Sequence, residues 1–89
     1  VNNWTAQIRV TLKPAVNDPQ GLAIRGGLHQ LGFGDVSSVR AGKFFDVHFS
    51  APDRAAAEQQ VSDMCRRVLA NTVIEDYSFE VRESVEVAR

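Results

Sequence analysis

A chain of 89 residues has material for one hydrophobic core, of a size that often gains stability by self-association. Its 44% hydrophobic and 24% charged residues are ordinary for a globular domain, and a formal net charge of −1 supplies no field to draw nucleic acid or anionic lipid. The single cysteine, Cys65, excludes an internal disulfide, no apolar run approaches the ~20 residues of a spanning helix, and the chain reads as one cytoplasmic domain over 1–89.

Trp4, Ala6, Ile8, Val10 and Leu12 alternate with Thr5, Gln7, Arg9, Thr11 and Lys13, the period of a strand with one apolar and one polar face. Pro14 ends it. Asp18 and Pro19 then supply an N-cap and a first-turn proline, Ile24, Leu28 and Leu31 recur at helical spacing, and Gly32 is placed to close the helix in the left-handed region. Residues 36–41 and 43–51 read as two strands joined around Gly42, with Phe45, Val47 and Phe49 on one side and Phe44, Asp46 and His48 on the other.

Pro52 and Asp53 open a second helix whose apolar stripe runs through Ala57, Val61, Met64, Cys65, Val68 and Leu69. Asn71 suits its end. Tyr77, Phe79 and Val81 mark a last strand, and residues 83–89 form a polar tail, flexible or in contact with a partner. The order β-α-β-β-α-β predicts an α+β, ferredoxin-like fold, a mainly antiparallel four-stranded sheet with two helices on one face. The opposite face is then free to meet solvent, a ligand or another subunit.

Chemistry-bearing groups are sparse. His29 and His48 lack neighbours at metal-ligand spacing, and Cys65 lies on an apolar stripe where a thiol packs as a small hydrophobe. No glycine-rich phosphate loop is present; Gly26 and Gly27 fall inside a helix. No catalytic, cofactor-binding or metal residues are therefore assigned. Arg40 and Lys43 flank Gly42 and are placed to hold a phosphate or a partner carboxylate, or else to form a solvated basic turn. Glu75, Asp76 and Tyr77 lead into the last strand, where consecutive side chains point to opposite faces, so an interface or solvent role outweighs shared acid-base chemistry.

Several stretches in fixed order are similar to the PurS family: Val10-Thr11-Leu12-Lys13-Pro14, Asp18-Pro19-Gln20-Gly21, Leu28-His29-Gln30-Leu31-Gly32-Phe33, Val39-Arg40-Ala41-Gly42-Lys43, and Met64-Cys65 leading to residues 69–77. Thr72 departs from the family's usual proline. The resemblance implies a ferredoxin-like accessory subunit of phosphoribosylformylglycinamidine (FGAM) synthase in purine biosynthesis. Such a subunit is expected to self-associate as a dimer or tetramer, to join a large synthetase subunit and a glutaminase subunit, and to support ammonia transfer between them. Catalysis, with ATP and magnesium, is implied for the larger subunits, with no cofactor on this chain. Arg40, Gly42, Lys43, Asp76 and Tyr77 are the expected partner contacts. Two rival readings stand beside it: a single-stranded RNA module, prompted by the aromatic run 42–49 but opposed by Asp46 and the charge balance, and a regulatory domain that binds an amino acid between two copies.

Overall fold

The computed structural model describes residues 2–84. Three strands, β1 (Asn2–Leu12), β2 (Gly42–Ala51) and β3 (Glu75–Glu83), form an antiparallel sheet in the order β2-β1-β3. Helix α1 (Pro19–Gln30) joins β1 to β2, and α2 (Arg54–Met64), extended by a π-helical turn over Cys65–Leu69, joins β2 to β3.

This corrects the four-stranded expectation. Residues 36–41 are irregular, and the chain runs on from Ala41 into β2 without reversing. Gly42 sits in the ladder opposite Thr11 and makes no turn there. A Cβ at that position would lie 2.6 Å from the Val10 carbonyl oxygen, so glycine serves a close strand approach. The polar groups of 36–41 are committed to α1: the Val36 carbonyl accepts from His29 Nε2 at 2.8 Å, and the Ala41 amide donates to Asp18 Oδ2 at 2.8 Å.

The alternation read in β1 places Trp4, Ala6, Ile8 and Val10 in the core. Register puts Phe45 and Phe79 beside Ile8, and Val47 and Val81 beside Ala6. This apolar side, face A, carries α2 through Ala57, Val61 and Cys65. The opposite side, face B, bears Thr5, Gln7, Arg9 and Thr11 of β1 with Phe44, Asp46 and His48 of β2. Phe44 is the apolar exception and lies under Arg9, whose guanidinium carbon is 5.7 Å from the ring centroid.

Both helix starts are built as the sequence indicates. Asp18 Oδ1 accepts from the Gly21 amide at 2.9 Å, and Asp53 Oδ1 from the Ala56 amide at 2.8 Å. Gly32, at φ 99°, closes α1: its amide donates to the His29 carbonyl and that of Phe33 to the Leu28 carbonyl, the paired bonds of a left-handed helix stop. The second-helix stripe holds to Cys65 and then shifts. In the π turn the Ala70 amide reaches back to the Cys65 carbonyl, five residues away, so Val68 swings out to 80% exposure while Leu69 stays against the core.

The expected seat of α1 on the sheet is also corrected, since no α1 side chain enters the core cluster. Leu22, Ile24, Leu31 and Phe33 are all exposed. The radius of gyration is 16.9 Å, against about 12 Å for a folded domain of this length.

Candidate interaction surface

Antiparallel pairing gathers the sequence-chosen residues at one end of the sheet. Gly42 and Asp76 flank Thr11, and Lys43 and Tyr77 flank Val10, while Arg40 precedes β2 at the same end. The strand period divides them, with Asp76 on face B and Lys43 and Tyr77 on face A. Arg40, Asp76, Thr11, Leu12 and Pro14 line a shallow hollow there.

Most charges in this corner already have partners within the chain. Arg40 Nη2 donates to the Lys13 carbonyl at 2.9 Å and the Val16 carbonyl at 3.1 Å, so the guanidinium braces the loop between β1 and α1. Lys43 Nζ lies 3.3 Å from Glu75 Oε2, and Lys13 Nζ lies 2.9 Å from Asp76 Oδ1. Tyr77 stacks with Phe79 at a centroid separation of 6.4 Å. Lys13 therefore belongs to the corner although it was not singled out from the sequence, and Glu75, read there only as part of the step into the last strand, is the partner of Lys43. Their signal is register: Lys13 directly follows β1, and Glu75 opens β3.

Two carboxyls are held ionised by local hydrogen bonds. Asp18 lies below its ordinary value chiefly because the Gly21 and Ala41 amides donate to it, with the Arg40 charge adding a smaller effect. Glu75 is lowered first by the Asn71 amide, which donates to Oε1 at 2.7 Å, and then by Lys43. Asp18 was read from the sequence as a helix cap alone. In the structure its second oxygen also fastens the segment leading into β2.

Face B offers a second polar grouping. Thr5 Oγ1 lies 2.6 Å from Ser84 Oγ and shares a hydrogen bond of 3.1 Å with His48 Nδ1, and Asp46 stands 3.8 Å from His48 Nε2. These side chains link β2, β1 and the residue just after β3 in an open hollow. Such a row suits polar contact with a protein surface. Among the described residues no group of three His, Cys, Asp or Glu is placed to hold a metal ion, and no helix is long and apolar enough to cross a membrane.

The aromatic run that prompted an RNA reading is split by the pleat. Phe44 projects on face B, while Phe45 and Phe49 lie on face A against the core. A base-stacking platform needs its rings on one open face.

Comparison with known proteins gives one consistent family. The family model described as "Phosphoribosylformylglycinamidine (FGAM) synthase", PurS, matches residues 5–83. A Synechocystis protein named phosphoribosylformylglycinamidine synthase subunit PurS is 50% identical over 80 residues, spanning 90% of this chain and 80% of that protein. Among solved structures, Methanocaldococcus jannaschii PurS superposes with a TM-score of 0.81 at 32% identity, covering 92% of this chain and 99% of that one. A chain of Thermotoga maritima PurLQS gives a TM-score of 0.81 at 30% identity, covering 94% and 100%. With sequence agreement running from β1 through β3 and the same arrangement of elements in the solved relatives, this chain belongs to the PurS family of FGAM synthase subunits.

Proposed function

We propose that this chain is the small subunit of FGAM synthase in purine biosynthesis, acting in the cytoplasm as a non-catalytic organiser of a larger synthetase subunit and a glutaminase subunit. The observation that carries the reading is its likeness, over nearly its whole length, to a chain of Thermotoga maritima PurLQS. The related Methanocaldococcus jannaschii protein is described as one of the subunits of formylglycinamide ribonucleotide amidotransferase in the purine biosynthetic pathway. ATP, magnesium and the bond-making residues are assigned to the larger subunits, and this chain's role is to hold the two sites in register for ammonia transfer. Arg40 and Lys43 fit this role less directly than their exposure implies, because one braces backbone carbonyls and the other faces Glu75. Face B, polar and continuous across the strands, is the better docking face for a large subunit.

We also assign self-association to the chain. Its support is the apolar surface of α1, which the described residues leave exposed.

The test is reconstitution. The two larger subunits are purified and assayed with glutamine, and separately with ammonium, with and without this chain. The expected result is that glutamine-dependent turnover requires the small chain while ammonium-dependent turnover is far less affected. Full glutamine-dependent activity in its absence removes the proposal.

A further inference from the structure

We propose that the π turn ending the second helix and the turn after it, residues 66–74, form the docking surface for the glutaminase subunit, whose matching surface is an apolar recess edged by carboxylates. The inference rests on the functional reading above and names the part of the chain that meets one of its two partners.

Three observations carry it. The first is exposed hydrocarbon with a backbone cause. Val68 and Val73 are 80% and 81% exposed and Ile74 is exposed beside them, although Cys65, Leu69 and Ala70 stay against the core. A regular helix would have kept Val68 on the stripe of Ala57, Val61 and Cys65; the π turn, closed by the Ala70 amide on the Cys65 carbonyl, turns it outward. Single π turns of this kind recur at functional sites.

The second is the stiffness of the turn that presents Val73. Asn71 knots it: its Oδ1 accepts from the Val73 amide at 3.1 Å, its carbonyl accepts from the Ile74 and Glu75 amides at 3.0 and 2.7 Å, and its own amide donates to Glu75 Oε1 at 2.7 Å. The Ile74 carbonyl then accepts from the Lys13 amide at 2.8 Å, which ties the turn to the end of β1. Valine is itself stiff at χ1. Two apolar side chains with little conformational freedom left to lose, held on a bonded backbone, are preorganised for contact.

The third is charge. Residues 65–74 contain Arg66 and Arg67 and no acid. Arg66 is engaged with Asp63 and Ser62, whereas Arg67 is exposed and makes no ion pair among the described residues. A partner that seats the valines therefore gains by offering carboxylates at its edge. Two copies of this chain meeting here would set arginine against arginine, which disfavours a second copy as the occupant. The choice between the two larger subunits follows from position. The π turn stands on the helix side of the sheet, opposite face B, so a synthetase subunit on face B leaves it open. An organiser of two partners needs two surfaces that can be occupied at once, and these two are separated by the sheet itself.

The test uses the assembled complex. The glutaminase subunit is titrated into tagged synthetase and this full chain, and both retained chains are quantified. The paired variant Val68→Asp and Val73→Asp is expected to be retained by the synthetase as the unaltered chain is, while the apparent Kd of the glutaminase rises about 100-fold, since charge enters an apolar contact. Glutamine-dependent turnover at limiting glutaminase falls with it, and ammonium-dependent turnover holds. Arg67→Glu is expected to raise the same Kd about 10-fold and to weaken its salt dependence. If the aspartates lower the Tm of the chain, the pair Val68→Thr and Val73→Thr, which keeps the side-chain shape and adds only a hydroxyl, replaces them with an expected loss of about 10-fold. Unchanged glutaminase binding in the valine variants overturns the inference, and so does a folded variant that is lost from the synthetase, which gives the surface to that subunit. An Arg67→Glu chain that binds as the parent does overturns the carboxylate edge. Glutamine-dependent turnover that needs no small chain at all removes the functional reading and this inference together, so the unaltered chain tells the two failures apart.

Discussion

Asp18 and Ala41 are joined across 23 residues by one carboxylate oxygen, while the other oxygen of the same side chain caps α1 at Gly21. A single acid thus ends one connection and begins another. Replacing it with alanine removes both bonds and leaves the two amides without that acceptor. The Asp18→Ala chain is expected to melt on the order of 5 °C or more below the parent, followed by circular dichroism. An unchanged Tm denies Asp18 this joint role.

The pH dependence follows from the same side chain. The folded pKa of Asp18 is depressed, chiefly by the Gly21 and Ala41 amides, and that of Glu75 by the Asn71 amide ahead of Lys43. For an acid whose folded value lies below its unfolded one, the stabilisation is present above the unfolded pKa and is lost as pH falls through the folded pKa. Stability is therefore expected to hold near neutrality and to decline below about pH 4. Asp18→Asn and Glu75→Gln should each flatten that acid limb in urea titrations run at successive pH values. A decline equally steep in both variants assigns the acid sensitivity to other groups.

In the core, Ile8 is fully buried at the centre of β1, between Phe45 and Phe79. Ile8→Ala removes buried hydrocarbon and leaves a cavity, at a cost of about 2–5 kcal/mol. A chain of this length has a total stability of comparable size, so the variant is expected to be largely unfolded at 37 °C. Chemical denaturation against Ile8→Val, which should cost about 0.5–1.5 kcal/mol, checks the gradation.

Cys65 makes a different kind of statement. It is fully buried, and desolvation raises its thiol pKa, with Arg66 opposing more weakly. Thiolate is the reactive form, so modification by a thiol reagent at pH 8 should be slow in the native chain and rapid in denaturant. Prompt native labelling would place Cys65 outside the core.

Arg40 separates a bracing role from a docking role. Arg40→Ala releases the Lys13 and Val16 carbonyls, so amide exchange in residues 12–18 is expected to quicken, whereas Lys43→Ala should leave that segment unchanged. Hydrogen exchange measured on the isolated chain gives the comparison without any partner present.

Much of this architecture was legible in the residues because its signals are local. The alternation of Trp4 to Leu12 gave the central strand, Asp18 and Asp53 gave the helix starts, and Gly32 gave the left-handed stop. The fourth strand failed because Val36 and Val39 supplied apolar spacing while the backbone of that stretch was already bonded to Asp18 and His29, side chains distant in sequence. Val68 failed because helical spacing assumes a uniform turn, and the π turn after Met64 changes the phase. Arg40 and Lys43 were chosen as flanking a turn at Gly42 that the ladder replaces, and the pairings of Lys13 with Asp76 and of Lys43 with Glu75 emerge only when the three strands are set side by side. The period of α1 marks an apolar stripe and is silent on what covers it.

The place of β1 has a consequence for how the molecule comes into being. Of the three strands the middle one is made first, and its two neighbours begin only at Gly42 and Glu75. Its apolar side is shielded on both flanks only once Glu75–Glu83 has been made, so the sheet closes slowly and through distant pairings, with Ile8 and Val10 exposed until then.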